Sequence, residues 1–126
     1  MKQAITRNHT PDMTVDVELV TRVRKAVAEQ AIQCGLEPTE KYMFGGLAMM
    51  LNGKMVCGIV NDELMVRVGL GAYDEALTHP HVRPMDFTGR PMRGYIFVDA
   101  DGCSSQISVS KWVGRAIVNI QTLIGS

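Results

Sequence analysis

The sequence is short of the groups from which catalytic sites and covalent frameworks are built. It has three cysteines, Cys34, Cys57 and Cys103, in 126 residues. The number is odd and no CxxC spacing occurs, so a disulfide scaffold and a zinc ribbon both fit poorly; reduced thiols in a cytoplasm are expected. Charge of one sign is missing too. Thirteen basic and thirteen acidic residues cancel, leaving no overall field to steer the chain onto DNA, RNA or an anionic membrane. No apolar run approaches the roughly 18 residues of a bilayer span, and no apolar leader follows Met1-Lys2. Repeats and low-complexity tracts are absent.

What remains is an ordinary globular composition, 46% hydrophobic and 21% charged, in a chain long enough for one self-sufficient core. Residues 1–13, with Thr10-Pro11, read as a flexible arm, and 14–126 as a single domain. Leu19, Val20, Val23, Val27, Ala31 and Cys34 recur at three- and four-residue steps, which predicts a helix from about Val15 to Cys34. Thr14 or Asp16 would cap it, and Gly35 followed by Pro38 would end it. GAYDEALT, residues 71–78, reads as a short helix stopped by Pro80. Pro84 opens an irregular stretch, and residues 93–99 return to a β pattern. A last helix begins between Ser105 and Ser110, with Val109, Trp112, Val113, Ala116, Ile117, Ile120, Leu123 and Ile124 on its apolar stripe. Trp112 reads as a packing anchor.

The stretch from Lys41 to Val68 carries the most information. It reads as a strand, a Gly45-Gly46 kink and a three-strand meander turned at Asn52-Gly53 and Asn61-Asp62. Asn-Gly is the strongest two-residue hairpin signal, since both turn positions require positive φ. Ideal pairing from these turns puts Ala48, Met50, Met55, Cys57, Ile59, Leu64, Val66 and Val68 on one face. That uncharged face is assigned to the core. The other face holds Leu47, Met49, Leu51, Val56, Gly58, Val60 and Met65 inside a rim of Lys54, Glu63 and Arg67, the pattern of an interaction surface, with Leu47, Met49, Leu51, Val56 and Met65 as its expected contact residues. The alternative is that another part of the same chain covers it.

No catalytic constellation emerges. His79-Pro80-His81 has a chelating spacing but no third ligand near it, and reads as loop surface. Cys57 sits mid-strand as a small hydrophobe, and Cys103 follows a turn that would expose it, with no histidine near in sequence to activate it. Gly45-Gly46 lacks the spacing and following helix of a phosphate loop; close backbone approach explains it better. Arg83, Arg90 and Arg93, with Arg67 near, form a candidate anion site. The bland alternative pairs Asp86 with one arginine and gives the others structural hydrogen bonds.

Two long strings, MFGGLAMMLNGKMVCG and RPMDFTGRPMRG, followed by a closing segment containing KWVGRAI, resemble the N-terminal domain of the TfoX/Sxy family. The resemblance covers Asp16 to about Ile124. The family is named for regulators of bacterial competence, whose founding members act with the cyclic-AMP receptor protein and carry a second, C-terminal domain not seen in this sequence. It brings no catalytic residues to carry over. In outline the fold is also similar to small secretion-chaperone-like domains that dimerise and hold peptides.

Residues and resemblance together predict an α+β fold: an antiparallel β-meander sheet of four to five strands packed against long N-terminal and C-terminal helices, plus one short helix. The expected function is a cytoplasmic, non-enzymatic regulatory or protein-interaction module without cofactor or metal. Its partner would be another protein or itself, as a homodimer, with no direct nucleic-acid or membrane contact. The alternatives are a small-anion or nucleotide-binding protein using Arg67, Arg83, Arg90 and Arg93, or a chaperone-like peptide-binding dimer.

Overall fold

The computed structural model describes residues 15–43, 45–86, 89 and 91–124. The expected arm at 1–13, the alternative cap Thr14, Arg90 and the side chain of Ile124 lie outside them.

Helix α1 spans Val17–Cys34. The Asp16 carboxylate caps it by accepting from the Glu18 N–H, and Gly35 ends it at φ 69°. Leu36 N–H then returns to the Ala31 carbonyl at 3.0 Å. A left-handed residue at this position satisfies the last carbonyls of the helix, and glycine adopts it without a Cβ penalty. Strands β1 (Pro38–Met43), β2 (Gly46–Leu51), β3 (Lys54–Val60) and β4 (Glu63–Arg67) follow, then helix α2 (Leu70–Ala76). Strands β5 (Val82–Asp86) and β6 (Pro91–Val98) form a second hairpin, and a 3-10 turn (Ala100–Cys103) leads to helix α3 (Gln106–Ile124). Ser105 starts α3, its hydroxyl oxygen accepting from the Ser108 N–H at 3.1 Å.

The fold is α+β, with the long terminal helices and the short helix where the periodicity puts them. The six strands lie in the order β1-β2-β3-β4-β6-β5, and every neighbouring pair is antiparallel. The sheet is wider than the four or five strands expected. The segment around Pro84, read as irregular, is the edge strand β5, whose pairing shifts between Pro84 and Asp86. Proline lacks the N–H that an inner strand must donate on both sides, but an edge strand has a free side.

Both turns of the meander fix their strands' register as predicted. Asn52 and Gly53 take φ of 50° and 81°, and Leu51 pairs with Lys54 and Met50 with Met55. Across the second turn, Val60 pairs with Glu63 and Cys57 with Val66. Between the turns, however, the first hairpin shifts: Met49 faces Cys57, Ala48 faces Gly58 and Leu47 faces Ile59. Val56 is thus an extra residue in β3, a bulge that resets the alternation.

This bulge corrects the division of the sheet into two faces. Leu47, Met49, Leu51 and Val56 do not form an outer surface. They join Cys57, Ile59, Leu64 and Val66 in the cluster that packs against Leu19, Val23 and Val27 of α1 and Val113, Ala116 and Ile120 of α3. Ala48, Met50 and Met55, assigned to the core side, lie on the opposite face. The covering segment is therefore the pair of long helices. The two helices are locked across each other by glutamines: Gln30 Nε2 donates to the Ser110 carbonyl at 3.0 Å, and Gln106 Nε2 to the Arg22 carbonyl at 2.9 Å.

Candidate functional site

Among the described residues, the sheet has one face under helices and one without. Every buried helical residue among those described belongs to the first core cluster. The second cluster is built from strands alone: Met65, Met85 and Phe97 at its centre, with Met55, Val60 and Tyr95 partly buried around them. Met65 and Val60 are the residues of the expected second face that belong to this cluster, and of the two it is Met65 that sits at the centre. It lies over Gly58, where an added Cβ would come within 3.0 Å of the Met65 methyl. Arg67 stacks over Tyr95 at 5.6 Å and Arg83 over Phe97 at 4.7 Å. Arg83 also pairs with Glu63, so both signs of charge edge this face.

The expected arginine cluster divides. Arg83 is committed to Glu63 and Phe97. Asp86 does not neutralise an arginine in the ion pairs found among the described residues; its carboxylate accepts from the Gly89 N–H at 2.8 Å. Arg67 and Arg93 do come together, at the end of the sheet where β4 leaves and β6 enters. They line a hollow of ≈ 350 Å³ with Gly69, Leu70, Tyr95 and Asn119 among its other walls. Arg93 rests over the Tyr73 ring at 5.1 Å, and one Arg67 nitrogen donates to the Met55 carbonyl at 3.4 Å. Gly69 and Gly94 shape the site. Val68 and Gly69 both donate to the Gly94 carbonyl, at 2.9 and 3.0 Å, and the two glycines take φ of 91° and 94°. Sequence reasoning missed Asn119, a helical residue far along the chain with no local signal. Its side-chain Nδ2 is buried without a hydrogen-bond partner among the described residues.

The reactive-looking side chains have other employment. His79 meets Glu75 at 2.8 Å and stands edge-on to Trp112 at 5.2 Å, whereas His81 pairs with Asp99 at 3.1 Å. The two histidines therefore serve separate partners. Among the described residues no three metal-ligating side chains converge. Cys103 is buried, contrary to the exposure expected after a turn, because the 3-10 turn folds it inward. Burial pushes its thiol up to about 11 and that of Cys57 to about 12, which suppresses the reactive thiolate at neutral pH.

Glu75 ties α2 to α3 by pairing with His79 and Arg115. The hydrogen bond from His79, then that from Arg115, holds its carboxyl below the usual range. A group whose pKa is lowered on folding stabilises above its unfolded pKa and loses that contribution as pH falls through the folded one. Glu75 is exposed, so the effect is small. Glu75→Gln is expected to melt slightly below the wild type at neutral pH. The two melting curves should converge on acidification below about pH 4, which thermal unfolding monitored across a pH series would check.

This is an α+β domain in which one sheet face carries no helix among the described residues and a largely apolar hollow, with Arg67 and Arg93 on its wall, lies at the sheet end. Residues 36–120 match the TfoX N-terminal domain, and the chain belongs to that family. No match is found among curated proteins or among solved structures. Among the described residues, no helix is long and apolar enough to cross a membrane.

Proposed function

We propose that this chain is a non-enzymatic regulatory module of the cytoplasm that works by binding protein through the sheet face that carries no helix among the described residues, a second copy of itself being the first such partner. The observation that carries this reading is an apolar cluster built from strands, whose centre, Met65, Met85 and Phe97, is itself buried and whose partly open margin of Met55, Val60 and Tyr95 is what a partner would meet. An apolar centre of this kind inside a charged edge is the usual anatomy of a recognition surface. Methionine adapts its shape to a partner at little cost. Glu63, paired with Arg83, and Arg67 at the other end of the same strand give the edge both signs, which a two-fold contact between identical patches can satisfy. With no net charge, two copies also approach without long-range repulsion. The competence-regulator role that gives the family its name is the finer form of this proposal; direct DNA contact is no part of it.

Light scattering over a concentration series tests the self-association. The wild type is expected to show a dimer mass that Met55→Asp reduces to the monomer mass without lowering helix content. A wild type that stays monomeric throughout, or a Met55→Asp variant that still dimerises, contradicts the reading.

A further inference from the structure

The hollow at the end of the sheet has the makings of a second binding site, bordering the proposed partner surface at Arg67 and Tyr95. Three observations meet there. Arg67 and Arg93 both line it, and neither is engaged in any ion pair found among the described residues. Asn119 is among its lining residues, and the Nδ2 of that side chain is buried and without a hydrogen-bond partner among the described residues. Leu70 and Leu123 also form part of its lining, yet are 68% and 47% exposed.

Each observation carries a free-energy cost. A buried amide donor without an acceptor loses its hydration for nothing, and two guanidinium groups sharing one hollow repel each other. An oxyanion entering between them would remove both costs. It offers several acceptor lone pairs, matches the guanidinium fork, and brings the missing negative charge. An apolar body attached to that oxyanion would cover Leu70 and Leu123. The volume of ≈ 350 Å³ lies at the small end of the range for small-molecule sites.

We infer that the hollow bounded by Arg67, Arg93 and Asn119 binds a small organic anion, a carboxylate or phosphate carried on a compact apolar group. Arg93 supplies a fork from the open side, Arg67 a second positive charge from the sheet, and Asn119 an amide donor from α3. Gly69 keeps the approach clear: a Cβ there would stand 2.2 Å from the Asn119 Oδ1. Arg83, although part of the same sequence cluster, is not part of the site.

Titration of the whole chain with phenyl phosphate and with phenylacetate, followed by calorimetry, tests the inference. Saturable binding of at least one of them is expected, and which one binds assigns the oxyanion. Arg93→Gln, at an exposed position, should weaken that binding about tenfold, the loss of one charge-assisted hydrogen bond. Asn119→Asp should abolish it by turning the donor into a like charge. Lys25→Gln, on the outer surface of α1, should leave it unchanged. Absence of saturable binding by either probe into the millimolar range overturns the site. So does an Arg93→Gln protein that melts like the wild type and binds equally well, or a Lys25→Gln protein that loses affinity to the same extent.

Discussion

Val56→Asp is expected to leave the chain unfolded. Val56 has no exposed surface and lies in the cluster between β3 and the long helices. Among the described residues no polar or charged side chain is buried in that core, so none is there to pair with a new carboxylate. Burying an uncompensated charge costs several kcal/mol even after local relaxation, and the lost packing of the valine adds about 1–2 kcal/mol. A domain of this size has only about 5–15 kcal/mol of stability in total. Far-ultraviolet circular dichroism with a thermal melt should show no cooperative transition. A cooperative melt near that of the wild type would mean that this face is not the core in solution.

Gly46→Ala should be nearly as damaging, for a different reason. At Gly46 the backbones of β2 and β3 approach so closely that a Cβ would lie 2.1 Å from the Ile59 carbonyl oxygen and 3.2 Å from the Val60 Cα. Both are main-chain atoms, so no rotamer change can relieve the overlap, and the strands themselves must part. Rearranging a packed backbone in this way costs about 3 kcal/mol or more. Gly45→Ala separates this effect from ordinary glycine preference. Gly45 takes φ 73° but has open space around it, so its alanine variant should lose only the left-handed penalty of about 1–2 kcal/mol. Calorimetric melts of the two variants should rank them in that order; equal losses would show that the strands do not approach so closely.

The elements of this fold are written locally, and so were legible. Asp16 and Gly35 bracket α1, Asn52-Gly53 and Asn61 set the turns, and the apolar steps from Val109 to Ile120 define α3. Membership of the TfoX N-terminal domain family was equally legible, in two long strings of residues. Which face of the sheet is buried was not. That depends on Val56, whose β-branched side chain is as suited to a regular strand as to a bulge. The bulge follows from packing, because it lets Val56 and Cys57 join Leu47, Met49 and Leu51 under the helices. Strand β5 was missed because Pro84 signals a break unless the strand is known to lie at an edge. The site at the sheet end was legible in part. Arg67 and Arg93 were among the expected residues, but Arg83 belongs elsewhere and Asn119 arrives through tertiary structure alone.

One face of the sheet holds the fold together and the other is proposed to hold a partner, and their methionines report on each. Methyl spectra of the chain with isotopically labelled methionine, recorded with a soluble paramagnetic agent, would show which methyl groups solvent reaches. At low concentration Met50 and Met55 should broaden while Met49 stays sharp, and at high concentration Met50 and Met55 should become protected as the mass doubles. Broadening of Met49, or a doubled mass with Met50 and Met55 still open to the agent, would contradict that division.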